Sequence, residues 1–224
     1  MEILFADRRV CVCVKPAGVL STDEPGGMPE LIRAALGGEN PCVRSVHRLD
    51  RTVGGVMVYA RSRMAASLLS EQIREGRFEK TYLAVVCGVP ETDTGELRDL
   101  LRRDRQARRT FVADAPGKDV REAVLRYETI GTAEGLTLLR IGLGTGRTHQ
   151  IRVQFASRGL PLWGDGKYGR AEESGPVALW SNALAFDHPE TGERLRFTAP
   201  PPGETYPWSL FEIEETKQNA LRSD

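Results

Sequence analysis

The sequence reads as rich in strand with two or three helices, in agreement with an α+β fold, on three observations. Runs of strand-type residues recur from residue 2 to about residue 197, each broken by turn formers. Only two or three windows carry the 3.6-residue period of an amphipathic helix. No linker, internal repeat or low-complexity block divides the chain, so residues 1–212 read as one domain and 213–224 as a polar tail. With 224 residues, 40% of them hydrophobic, the chain is long and apolar enough to bury a substantial core.

Taken in order, Glu2 to Val14 reads as a strand pair. Ile3-Leu4-Phe5 is apolar, Asp7-Arg8-Arg9 is turn-like, and Val10-Cys11-Val12-Cys13-Val14 is a continuous β-prone run. Lys15-Pro16-Ala17-Gly18 then forms a turn with proline second and glycine fourth, in which Lys15 reads as a solvated residue. Residues 29–36 predict a short helix opened by Pro29 and stopped by Gly37-Gly38. Val43 to Leu49 reads partly as a strand, and Val56 to Ala60 as another. Ser62 is placed to cap a helix from Arg63 to Glu75, whose apolar residues Ala65, Leu68, Leu69 and Ile73 share one face. Phe78 to Gly88 predicts a strand with Lys80, Tyr82 and Ala84 on one side. Strand composition returns at 121–130 and 136–143, and residues 147–155 suit a helix start or a loop facing a polar site. Ala178 to Phe186 fits either helix or strand. The turn at 188–192 joins it to Arg194–Phe197 as a hairpin, and Pro200-Pro201-Pro202 marks an extended exit.

Charge narrows the function classes only locally. The 31 basic residues balance 31 acidic ones, so no global field draws the chain to nucleic acid. Arginine nevertheless outnumbers lysine, and between residues 98 and 109 six arginines face two aspartates. That run is either a solvated hairpin or an RNA-phosphate contact. The cysteines at 11, 13, 42 and 87 lack zinc-knuckle spacing and read as buried free thiols. With the histidines scattered at 47, 149 and 188, no metal site is expected. No apolar run approaches the roughly 20 residues of a spanning helix. The acidic, signal-free start at Met1–Asp7 gives the cytoplasm as the expected compartment and no membrane partner.

Two stretches concentrate chemistry. Val46-His47-Arg48-Leu49-Asp50-Arg51-Thr52-Val53 places a carboxylate between short apolar runs, ahead of Gly54-Gly55, which would let a substrate approach the backbone. A turn whose aspartate bonds its own backbone fits the same letters. Gly144-Thr145-Gly146-Arg147-Thr148-His149-Gln150-Ile151-Arg152 alternates polar and apolar positions behind two glycines. Leu162 to Gly169 is glycine-rich but lacks phosphate-loop spacing.

Together these blocks resemble the pseudouridine synthases of the RluA type. His47-Arg48-Leu49-Asp50, Lys80-Thr81-Tyr82 and Gly146 to Arg152 stand in that family's order and spacing. Lys15-Pro16-Ala17-Gly18 and Gly164 to Gly169 match two further blocks, and coverage runs from residue 3 to about 200. The resemblance implies an α+β fold around a long, bent, mixed, mainly antiparallel sheet, with flanking helices and a central catalytic cleft. It also implies isomerisation of uridine to pseudouridine in ribosomal or transfer RNA, without metal or organic cofactor, by an enzyme expected to be monomeric. Asp50 matches the essential aspartate, acting either as nucleophile or as base. Arg152 matches the arginine that would keep Asp50 ionised. Tyr82 matches the aromatic that stacks on the base, and Arg48 the side chain that fills the gap when the nucleotide flips out. His47, Arg147, His149 and Gln150 are implied as RNA or structural contacts. Relatives commonly carry Ser-Gly where this chain has Gly54-Gly55, which puts one supporting hydroxyl in doubt. Many also carry an S4-like domain ahead of the catalytic one, which this chain is expected to lack. Two rivals remain: an inactive RNA-binding protein on the same fold, and a hydrolase using Asp50 with His47 or His149. The intact Asp50, Tyr82 and Arg152 set weighs against the first. The lack of a serine or cysteine elbow weighs against the second.

Overall fold

A computed structural model describes residues 1–38, 41–169 and 175–213, so all but the first residue of the expected tail lies outside the described part. The chain forms two compact units. The fold class is α+β, with mixed but mainly antiparallel strand pairing.

The first unit combines Met1–Lys80 with Trp180–Pro201. Its strands β1 (Glu2–Ala6) and β2 (Val10–Lys15) form the expected antiparallel pair. The turn between them is set by Asp7, whose Oδ1 accepts the N–H groups of Arg9 and Val10 at 2.8 and 2.7 Å. A two-residue β3 (Arg44–Ser45) pairs with one end of β4 (Gly54–Ala60), while β2 lies along the whole other side of β4. Of the segment read as a strand up to Leu49, only these two residues take that form. In the same unit β10 (Leu179–Asp187) runs parallel to the start of β4 and antiparallel to β11 (Arg194–Thr198). The ambiguous 178–186 segment is therefore strand.

Two helices belong to this unit. Helix α1 (Met28–Leu36) begins with proline in its first turn. Helix α2 (Arg63–Arg74) is capped by Ser62, which accepts the Ala65 N–H. Ala65 and Leu69 of α2 pack on Val10, Val12, Val56 and Val58, with Phe78, Leu184, Phe186 and Phe197 completing the cluster. Each large side chain fully removed from water there contributes roughly 1.5–3 kcal/mol.

The second unit combines Thr81–Leu179 with Pro202–Ile213. Five antiparallel strands stand in the order β5 (Glu79–Cys87), β9 (Leu136–Leu143), β8 (Val120–Ala133), β6 (Thr94–Asp104) and β7 (Arg109–Val112). The arginine-rich run is the β6–β7 hairpin, with β7 the last strand. Helix α3 (Gln150–Ala156) lies against β6 and β7, and its residues from Gln150 to Phe155 are all buried. Phe155 meets Tyr127 edge-on at 5.5 Å, and Val153 packs on Leu101 and Ala123. Among the described residues no helix is long and apolar enough to cross a membrane.

Candidate active site

The loop from Val46 to Val53 leaves β3 and returns into β4, and it is fastened from below. Ser21 Oγ donates to the Leu49 carbonyl at 3.0 Å, while Gly18 and Arg51 exchange two bonds, N–H to carbonyl at 2.7 Å and guanidinium to carbonyl at 2.9 Å. The Asp50 carbonyl accepts the Val53 N–H at 3.0 Å, closing the turn. Asp50 itself is half-buried.

Lys15 overturns its sequence reading. It is 0% exposed, and its ammonium donates to the carbonyls of Val19 (2.6 Å), Pro16 (2.9 Å) and Arg51 (3.3 Å). A charge out of water must find such acceptors, which here come from the turn after β2 and, through Arg51, from the Asp50 loop. Burial pulls the lysine down to about 8, against the opposing pull of the Asp50 carboxylate. A positive charge thus stands beneath the carboxylate that the sequence singles out.

His47 is neutral. Burial, and secondarily the charge of Lys80, lowers it to about 3. Its Nε2 accepts the Val58 N–H at 3.1 Å, so the ring proton resides on Nδ1, a buried atom with no hydrogen-bond partner among the described residues. His47 thereby ties the loop to β4 instead of offering a base. Arg48, one residue on, is exposed, and no hydrogen bond or ion pair holds it among the described residues.

The glycine pair also has a different role from the one its letters suggest. A Cβ on Gly54 would lie 2.4 Å from the Trp180 ring and 3.1 Å from the Lys15 carbonyl; one on Gly55, at φ +121°, would lie 2.3 Å from the Ser181 carbonyl. Both glycines admit β10, which comes in parallel at these two residues. The space around position 54 holds an indole, itself anchored by Nε1 to the Ala199 carbonyl at 2.9 Å.

In the second unit Tyr82 sits on β5 opposite Ile141 of β9 and is 6% exposed. Helix α3 starts from His149 in the left-handed region, φ +55°. Gln150 is 3% exposed, and its amide is engaged on both sides. Oε1 accepts from Thr145 Oγ1 (2.7 Å) and the Arg147 N–H (3.0 Å), while Nε2 donates to the Val124 carbonyl (3.1 Å). It builds the turn that presents its neighbours. Arg147 is exposed, with Nε on the Glu122 carbonyl at 2.9 Å, and His149 Nδ1 lies 2.8 Å from the Tyr168 hydroxyl.

Arg152, 6% exposed, makes a bidentate pair with Asp165, Nε and Nη2 each at 2.7 Å from a carboxylate oxygen. Burial works to raise the Asp165 pKa, but the Arg152 guanidinium and the N–H groups of Lys167 and Tyr168 outweigh it and hold the acid below the usual range. The sequence reading did not name Asp165. Its signal was an aspartate between Gly164 and Gly166, in a block that matches the family but to which no residue role was given.

The arginine run is divided. Arg98 pairs with Glu122 and Glu96, and the Arg109 guanidinium bonds the Lys167 carbonyl. Arg102, Arg103, Arg105 and Arg108 are exposed and have no acidic partner among the described residues. Among those residues no cluster of three or more His, Cys, Asp or Glu is placed to hold a metal ion. Cys11, Cys13 and Cys87 are buried as expected, but Cys42 is exposed.

Comparison with known proteins identifies the family. The sequence profile described as RNA pseudouridylate synthase matches residues 9–157. The dual-specificity RNA pseudouridine synthase RluA of Haemophilus influenzae is 33% identical, over 89% of this chain and 92% of its own. The ribosomal large subunit pseudouridine synthase D of Pseudomonas aeruginosa is 31% identical, over 97% of this chain and 73% of its own. A solved structure, human RNA pseudouridylate synthase domain containing 1, superposes with a TM-score of 0.75 at 21% identity, covering 90% of this chain and 83% of that one, and so shares the fold. The chain therefore belongs to the RNA pseudouridine synthase family of isomerases.

Proposed function

We propose that this chain isomerises uridines of ribosomal or transfer RNA, with Asp50 as the essential carboxylate. The reaction breaks the N1–C1′ bond, turns the base and forms a C5–C1′ bond, so N1 gains a proton and C5 releases one. Asp50 acts at the sugar, as nucleophile or as base drawing a ribose proton, and either role needs an ionised carboxylate in fixed position. The observation that carries the reading is the buried Lys15 charge beneath a loop pinned by Ser21, Gly18 and Arg51. It sets a cation against the acid and removes the loop's freedom before substrate arrives. Tyr82 stacks on the base and Arg152 is the catalytic arginine. The exposed Arg48 side chain enters the gap that a flipped nucleotide leaves. Arg147 and His149 stand ready as RNA contacts, while His47 and Gln150 support the two loops. The exposed hairpin arginines grip phosphate, a local answer to a net charge of zero.

The decisive experiment is tritium release from RNA carrying 5-tritiated uridine. The wild-type protein releases tritium. Asp50→Asn, which keeps shape and removes charge, should fold normally and release at least about a thousandfold more slowly. Full release by that variant would overturn the assignment. Absence of turnover by the wild type on total cellular RNA would instead favour an RNA-binding protein without catalysis.

A further inference from the structure

The segment from Gly164 to Gly169 looks in sequence like a solvent loop, yet it is held at several points. Asp165 is 1% exposed, and its Oδ1 accepts the N–H groups of Lys167 and Tyr168 at 3.0 and 3.1 Å while pairing with Arg152. The Tyr168 ring lies beneath two guanidinium groups, 5.3 Å from Cζ of Arg152 and 5.1 Å from Cζ of Arg109. Its hydroxyl accepts the Thr110 N–H at 2.7 Å. Lys167 Nζ donates to the Arg108 carbonyl at 2.7 Å, and Thr110 Oγ1 donates to the Thr148 carbonyl at 3.0 Å.

We propose that Asp165 and Tyr168 are positioning residues for Arg152. The inference rests on the reading of Arg152 as the catalytic arginine. An arginine side chain is long and flexible, and a group that must meet a reacting centre gains from losing that freedom beforehand. The carboxylate fixes the guanidinium in its own plane by taking up Nε and Nη2, so the direction of Nη1 follows from the clamp. The phenol ring closes one face and prevents rotation out of that plane. The clamp is itself fixed, since two backbone N–H groups hold the Asp165 oxygen that meets Nη2. The same ring fastens the loop to β7, so the gripping hairpin and Arg152 share one support.

The test compares Arg152→Lys, Asp165→Asn, Tyr168→Leu, Tyr168→Phe and the Arg152→Lys/Asp165→Asn double variant. Apparent kcat and KM are measured by tritium release from total RNA labelled with 5-tritiated uridine. Arg152→Lys and Asp165→Asn should each lower kcat by about tenfold or more, with apparent KM within about threefold of wild type. The double variant should be no slower than the slower single one, because both changes remove one function. Tyr168→Leu should lower kcat, and Tyr168→Phe, which keeps the ring, should restore most of it. Multiplicative losses in the double variant, or a loss confined to KM, would overturn the proposal. Should Asp165→Asn fail to fold, the tyrosine pair decides, and equal kcat for Leu and Phe rejects the positioning role. If Arg152→Lys keeps wild-type kcat, the catalytic reading of Arg152 fails and takes this inference with it.

Discussion

At the scale of single residues, Lys15 carries the clearest pH signature. Its folded value of about 8 lies below the ordinary lysine range. Above that pH the folded protein sheds a proton that the unfolded chain keeps until about 10.5, so this group's contribution to stability rises across the window. Activity should move the opposite way, because the charge facing Asp50 is lost. We expect kcat/KM to fall with an apparent pKa of about 8 while the melting temperature holds, and Lys15→Met to be slow with no such limb. A wild-type profile flat to about pH 9.5 would contradict the role given to the lysine. Gly54 offers a second test. Serine there meets the Trp180 ring, so Gly54→Ser should lose about 1–3 kcal/mol in urea unfolding, and less than additively when combined with Trp180→Leu. Equal stability of Gly54→Ser and wild type would show that the indole yields freely. The candidate acid, tyrosine and arginine were legible in the sequence because their neighbours form recognisable blocks. The burial of Lys15 was not, because its third acceptor, the Arg51 carbonyl, comes from 36 residues away.

At the scale of elements, periodicity read the first part of the chain well. Both early helices and the β1–β2 pair fall within a residue or two of their expected bounds, since glycine, proline and serine mark their ends. The third helix was left between helix and loop because its buried residues alternate polar Gln150, Arg152 and Gln154 with apolar Ile151, Val153 and Phe155, a period of two that hides the helical one. The β6–β7 hairpin shows the same limit for charge, since a run of arginines does not say which are already neutralised. Here Arg98 is paired, whereas Arg102 and Arg105 have no acidic partner among the described residues. Replacing those two by alanine should weaken RNA binding at all sequences alike. It should also flatten the plot of log affinity against log salt by about 0.7–0.9 per lost phosphate contact. An unchanged slope would remove the hairpin from the RNA interface.

At the scale of the whole molecule, strand count agrees with α+β but does not specify it, the resemblance does, and the division into two compact units was not visible. The return of Trp180–Pro201 to the first unit is a long-range event that no local composition announces. Sequence similarity supplied the family, and side-chain geometry supplied the support beneath Asp50 and around Arg152. The position of β7 as the last strand of its row has one more consequence. The Tyr168 hydroxyl occupies the Thr110 N–H, so what β7 offers another chain is its far end, where Phe111 and Val112 are 39% and 37% exposed. At zero net charge, long-range repulsion does little to keep copies apart. The arginines at 102, 103, 105 and 108 then act as gatekeepers against edge-to-edge growth. Neutralising all four should raise the fraction of protein that sediments as large oligomers at low salt, and an unchanged sedimentation profile would remove that role.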